Sequence, residues 1–297
     1  MEKRPFVALQ ALDELWFQVG GTLCNLSCTH CFVSCNPSND SFKFLGLERV
    51  KRFLRESVDL GVKEYYFTGG EPFLNRELLP ILEETLCYGP ASVLTNGTVF
   101  QEKNVRELRR IADGSRYTLE LRVSIDGPTA EINDPLRGAG AFDAALHGVD
   151  LLVQEGFLPI ITVVQTWPEE QSLVLLAQFA DVLRRRGYTR PRLKLLPTLR
   201  IGMEAMRTRG YTPEERVHAE MLEGYDVQRL ICSHSRIVTD RGVAVCPILI
   251  EEPGAHLGET LADALTPFAV SHAACYTCYL YGSICVNAST ASPGRDR

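Results

Sequence analysis

Leu15-Trp-Phe-Gln-Val19 is a run of strand-forming side chains that Gly20 and Gly21 end, and it leads straight into Cys24-Asn-Leu-Ser-Cys28-Thr-His-Cys31. Three thiols within eight residues can reach one metal centre from a single loop. Thiolates are soft ligands that suit iron–sulfur clusters, zinc or cuprous copper. Zinc would want a fourth protein ligand, and Cys35 or His30 is close enough in sequence to supply it. The alternative is a 4Fe-4S cluster in which three irons take cysteine and the fourth stays open. About forty residues on, a second strand-like run, Glu64-Tyr-Tyr-Phe67, passes directly into Thr68-Gly69-Gly70-Glu71-Pro72.

Outward from that stretch, strand-like and helix-like segments alternate. Leu47, Val50, Phe53, Leu54 and Val58 share one helical face, and Gly61 follows as a stop. Helices are expected at 76–86, 104–111 and 172–186, and a fifth on the stripe Phe142, Ala145, Leu146, Val149, Leu152 and Val153. Strands are expected at Ala91–Leu94, Thr118–Ser124, Leu158–Gln165 and Arg192–Leu196. Six β-then-α units predict an α/β fold with a parallel sheet and helices outside it. The polar and glycine-rich stretches all fall where a strand has ended and a helix has not begun. In parallel β/α barrels those strand ends build the site, so the motifs should meet at one mouth.

The spacing CxxxCxxC after the first strand, with GGEP after the second, resembles the radical S-adenosylmethionine (SAM) superfamily. The resemblance implies a partial (β/α)6 TIM-type barrel in which Cys24, Cys28 and Cys31 hold a 4Fe-4S cluster. It implies that the open iron is chelated by the amino and carboxylate groups of SAM. Cleavage of SAM would then give a 5′-deoxyadenosyl radical that abstracts a substrate hydrogen. By the same resemblance Gly69, Gly70 and Glu71 contact the methionyl amino group, and His30 packs near the adenine. Ser124-Ile-Asp126-Gly-Pro128 followed by Asn133-Asp-Pro-Leu-Arg137-Gly138 is similar to a stretch of sulfatase-maturating relatives, which makes Ser124 and Arg137 candidates for the SAM ribose and carboxylate. Asn133 stands where those relatives often carry histidine. Leu199, just past the sixth strand, reads either as an adenine contact or as core.

The remaining cysteines fall late in the chain. Cys232 and Cys246 flank a hairpin pattern, Arg236–Thr239 and Val243–Val245 joined at Asp240-Arg-Gly242. Cys275 and Cys278 form a CxxC, and Cys285 comes seven residues later. Two cysteine pairs also suit a structural zinc. The pattern more closely resembles a shortened SPASM (twitch) domain, which holds one auxiliary 4Fe-4S cluster. Cys232, Cys246, Cys275 and Cys278 are the expected ligands, leaving Cys285 free to donate a hydrogen atom; the alternative makes Cys285 a ligand in place of one of the CxxC pair. The expected division is 1–210 for the barrel and 211–297 for the twitch-like unit.

The composition, 45% hydrophobic and 23% charged over 297 residues, is that of an ordinary globular protein with room for a large core. A net charge of −6 argues against a nucleic-acid-tracking surface. No run reaches the length of a membrane span and the N-terminus does not read as a signal peptide, so the expected setting is cytoplasmic. Ten cysteines in such a chain read as ligands or catalytic thiols rather than disulfides. The expected partners are a small-molecule substrate and an electron donor, a reductase or a flavodoxin or ferredoxin. The resemblance extends to the dehydrogenases and epimerases of aminoglycoside biosynthesis, which implies oxidation, epimerisation or rearrangement of a sugar or aminocyclitol. The alternative is a maturase of a ribosomally made peptide. Such enzymes often carry an extra recognition domain ahead of the cysteines, and here 23 residues precede Cys24. A cluster carrier without catalysis would not require GGEP, the SIDG stretch and Arg137 around the first cysteines.

Overall fold

The structure, a computed structural model, describes residues 4–285. The chain opens with β1 (Phe6–Val7) and β2 (Glu14–Phe17), followed by α1 (Leu47–Val58) and β3 (Glu64–Phe67). Then come α2 (Leu78–Thr85), β4 (Ala91–Thr95), α3 (Glu102–Asp113) and β5 (Leu119–Ser124). Two helices, α4 (Ala130–Arg137) and α5 (Ala141–Gln154), precede β6 (Ile160–Val164), and α6 (Ser172–Arg185) precedes β7 (Arg192–Leu196). After α7 (Gly202–Arg207) follow β8 (Ser235–Thr239), β9 (Gly242–Ala244), β10 (His256–Gly258), β11 (Phe268–Ala269) and α8 (Ala273–Tyr281).

The six expected strands, β2 to β7, are sequential parallel neighbours, as a partial (β/α)6 barrel requires. The sheet is open, with β7 at one edge. At the other end it runs on past β2. Strand β8 pairs in parallel with β2, Glu14 opposite Ser235 and Phe17 opposite Val238, and β9 and β10 add antiparallel strands. The hairpin bounded by Cys232 and Cys246 therefore continues the barrel sheet across the expected boundary at residue 210.

Strand alternation sorts the side chains into two faces. Leu15, Phe17, Tyr65, Phe67, Val93, Leu121, Val123, Ile161 and Val163 share one buried core with the inner stripes of the helices. Helix α1 contributes Val50, Phe53 and Leu54, each fully buried. Burying side chains of that size contributes roughly 1.5–3 kcal/mol each. The alternate positions, Trp16, Gln18, Arg122, Ser124, Thr162 and Val164, line a cavity on the opposite face of the sheet.

The cysteine loop and the GGEP loop cross almost backbone to backbone. Gly70 N donates to Gly21 O at 2.9 Å and Glu71 N to Leu23 O at 3.0 Å. A Cβ on Gly70 would lie 2.0 Å from Leu23 O, and one on Gly69, at φ +141°, would lie 2.6 Å from the Gly20 Cα. Glycine is needed here for the crossing itself, before any ligand is considered. Gly70→Ala is expected to cost about 1–3 kcal/mol or more, since neither backbone can yield. Urea denaturation would measure this, and an unchanged midpoint would show that the two loops do not touch so closely.

Candidate active site

The loop after β2 is held at several points. Cys24 N donates to Asn36 O at 3.2 Å, Thr29 N to Leu136 O in α4 at 2.8 Å, and Met203 N in α7 to Cys31 O at 3.0 Å. So held, Cys24, Cys28 and Cys31 line one cavity of about 230 Å³ at the carboxyl ends of the strands. Asn96, just beyond β4, donates through Nδ2 to Asn25 Oδ1 at 2.8 Å and to Cys24 Sγ at 3.7 Å. Cys35 is turned onto Cys31, with its backbone N 3.3 Å from Cys31 Sγ and its own thiol lowering the Cys31 pKa. Burial pushes the Cys28 thiol up to about 11 despite the nearby Arg137 guanidinium.

Among the described residues, no three Cys, His, Asp or Glu groups converge on a single ion. A mononuclear zinc site would need that convergence. A polynuclear cluster takes each thiolate on a different iron, and Cys24, Cys28 and Cys31 are soft donors that line one open cavity. The three-cysteine loop and the cavity in front of it therefore suit a 4Fe-4S cluster with a ligand on its open side.

His30, Gly69, Gly70, Ser124, Arg137 and Leu199 all line the same cavity. Glu71 does not. Its carboxylate is fully buried and accepts hydrogen bonds from Phe73 N, Thr95 Oγ1 and Asn96 N at 3.0, 2.7 and 2.8 Å. The glutamate thus ties the GGEP loop to the loop after β4.

The wall carrying Arg137 and His30 is organised by Asp126, whose role no sequence motif announces. Asp126 is fully buried; its Oδ2 lies 2.9 Å from His30 Nε2 and 2.5 Å from Arg137 Nε, while Oδ1 accepts from Val164 N at 2.7 Å. Burial alone would raise its pKa, but Arg137 and His30 overcome that and hold the carboxyl well below the usual range. Asn133 accepts from Asp126 N through Oδ1 at 2.9 Å and so steadies the same loop. His30 Nε2 is therefore a contact of Asp126 as well as a cavity group. Ser124 Oγ lies 3.2 Å from Thr162 Oγ1 on the neighbouring strand.

The five C-terminal cysteines divide. Cys232, Cys246, Cys275 and Cys278 line a second, smaller cavity of about 20 Å³ walled by Ile231, Leu249, Phe268 and Val270. Cys275 and Cys278 stand three residues apart on α8, hence on one helical face. Burial raises all four thiols, Cys232 to about 12. Arg236, itself fully buried, lies alongside. It donates to Cys232 O and Ser235 O at 2.7 Å, Ala264 O at 2.8 Å and Thr266 O at 2.9 Å, and among the described residues no carboxylate pairs with it. Cys285 instead lines the first cavity, where Arg122 Nη1 donates to its carbonyl at 2.6 Å.

No helix among the described residues is long and apolar enough to cross a membrane. Comparison with known proteins agrees with the site. The chain is 31% identical over 178 residues to the mycofactocin maturase MftC of Mycobacterium tuberculosis, covering 59% of this chain and 43% of that protein. It is 30% identical over 135 residues to the AdoMet-dependent heme synthase of Oleidesulfovibrio alaskensis, covering 45% of this chain and 33% of that protein. The chain thus spans between a third and a half of the length of these curated relatives. Its fold matches that of Streptococcus suis SuiB bound to precursor peptide SuiA, with a TM-score of 0.60 at 17% identity, over 83% of this chain and 62% of that one. It also matches native anSMEcpe with bound AdoMet, with a TM-score of 0.60 at 17% identity, over 84% of this chain and 79% of that one. The Radical SAM superfamily model matches residues 19–171, which is 153 of the 297 residues. The chain belongs to the radical SAM superfamily, whose cofactors are a 4Fe-4S cluster and S-adenosylmethionine.

Proposed function

We propose that this radical SAM enzyme takes a hydrogen atom from a carbon of a peptide substrate and that Cys285 returns one, so that the carbon is inverted. In this reading Cys24, Cys28 and Cys31 hold the first cluster, and Gly69, Gly70, Ser124, Arg137, His30 and Leu199 surround SAM. Cys232, Cys246, Cys275 and Cys278 hold an auxiliary cluster within a twitch-like unit of residues 211–297. When bound, the first cluster and SAM supply the radical that removes the substrate hydrogen.

The observation that carries the reading is the division of the cysteines. Four thiols share the second cavity, and Cys285 alone of the five lines the first. A thiol facing a substrate radical delivers its hydrogen atom, forming a C–H bond and leaving a thiyl radical. One electron and one proton then restore the thiol. The electron comes from the reductant that members of the family need, here a flavodoxin, ferredoxin or reductase. Burial pushes the Cys285 thiol up to about 12, so it keeps its proton at neutral pH, as a hydrogen-atom donor must.

The sequence alone favoured a sugar or aminocyclitol as substrate. The comparisons support the peptide reading better, through a maturase among the relatives and a precursor peptide bound to SuiB. The small-metabolite reading rests on the confinement of the cavity, about 230 Å³.

Cys285→Ala is expected to retain all its iron and to form deoxyadenosine with substrate, but to give no inverted product. In deuterated water the unaltered enzyme should place one deuterium on the inverted carbon. Loss of iron from the second site would make Cys285 a ligand. Unchanged product would make it a packed thiol.

A further inference from the structure

The floor of the first cavity carries a charge that the reaction above does not use. Arg122 sits on β5, two residues before Ser124 and therefore on the same face of the strand. It is fully buried and lines the cavity. Nη1 is taken by the Cys285 carbonyl, while Nε and Nη2 have no hydrogen-bond partner among the described residues. Those two nitrogens form one edge of the guanidinium, and on that edge two N–H bonds run parallel. This is the fork that meets both oxygens of a carboxylate.

Glu120 and Glu14 act on this charge only through space. Among the described residues no carboxylate lies within ion-pair distance of Arg122. Glu120 is paired with Arg192 at 2.7 Å, and Glu64 accepts from the Tyr66 hydroxyl at 2.7 Å. Burial, then repulsion by Glu64, pushes the Glu14 carboxyl up to about 8, so at neutral pH it is largely uncharged. Lys194 adds to the positive field rather than cancelling it: burial and Arg122 together press its pKa down to about 8. Burial lowers the Arg122 pKa from its ordinary value, a cost that an anion on the unpartnered Nε and Nη2 would offset.

We propose that Arg122 is a substrate-recognition residue that binds a carboxylate of the molecule entering the first cavity, through Nε and Nη2. The inference rests on the reading of that cavity as the substrate site. It places the substrate's carboxylate on the floor, beside the Cys285 backbone that Arg122 already holds, and so orients the substrate relative to that thiol. The carboxylate belongs either to an acidic residue of a peptide or to a sugar acid.

Calorimetry on the anaerobically reconstituted holoenzyme with SAM tests this directly. The probes are N-acetyl-aspartate amide and glucuronate, each against its neutral counterpart, N-acetyl-asparagine amide and glucose. At least one acid is expected to bind saturably, and its neutral counterpart at least tenfold more weakly. Saturation by the aspartate probe alone identifies an acidic peptide, by glucuronate alone a sugar acid, and by both a site that reads the carboxylate only. Arg122→Lys keeps the charge but loses the fork, and is expected to weaken acid binding about tenfold with iron content and thermal midpoint retained. Arg122→Gln should abolish the preference for the acid. Equal binding of acid and neutral probes, no binding of either acid, or full affinity in a folded Arg122→Lys protein would overturn the proposal. These readouts do not depend on hydrogen transfer, so a failed donor role for Cys285 would leave them intact.

Discussion

Replacing Cys24, Cys28 and Cys31 together by alanine is expected to abolish deoxyadenosine formation from SAM while the protein keeps the iron of its second site. The triad and the four C-terminal thiols line separate cavities, so removing one donor set leaves the other whole. The loop should survive as a loop, because its anchors to Asn36, Leu136 and Met203 run through the backbone and not through the sulfurs. Iron analysis and deoxyadenosine chromatography on anaerobically reconstituted protein would check both halves. Undiminished iron, or any residual deoxyadenosine above background, would move the first cluster away from these cysteines.

Asp126→Asn should be the most damaging single change outside the cysteines. The carboxylate is fully buried, and its Oδ2 meets the Arg137 guanidinium and the His30 imidazole. Removing one partner of a buried ionic pair leaves the other charge uncompensated and typically costs about 3–5 kcal/mol. The folded-state pKa of Asp126 lies below its unfolded value. Its stabilisation is therefore present above the ordinary carboxylate range and is lost as pH falls through that range towards the depressed folded value. The difference in urea midpoint between the variant and the parent should accordingly be largest near neutrality and should shrink in acid. A gap independent of pH would mean that Asp126 acts by shape and not by charge.

The barrel was legible because its helices and strands advertise themselves locally. The stripe from Leu47 to Val58 became α1 with the same ends, and Arg192–Leu196 became β7. Expected and observed ends differ by a residue or two elsewhere: Thr118–Ser124 is β5 from Leu119, and Leu158–Gln165 shortens to Ile160–Val164. Helix α4 was not expected, since Pro135 inside it reads as a breaker and no long apolar stripe announces it. The hairpin around Asp240 was visible from its turn, but its parallel pairing with β2 joins opposite ends of the sequence and leaves no local trace. The same holds in the site. Cysteine and glycine spacing pointed to the cavity, whereas Asp126, Asn96 and Arg122 owe their roles to partners that only folding brings near. Glu71 likewise gains from folding a role that its place in GGEP does not announce, its carboxylate tying two loops together.

Arg236 has an electrical consequence. If Cys232, Cys246, Cys275 and Cys278 hold an iron–sulfur core, the thiolates make it a net anion, and adding an electron to an anion in a low-dielectric pocket is unfavourable. A permanent cation fixed by four carbonyls beside Cys232 offsets part of that cost at every oxidation level. Because its hydrogen bonds all end on backbone, the guanidinium cannot swing away as the charge beside it changes. A cluster held by these four thiols would thereby sit at a higher reduction potential than the same thiolates would set alone.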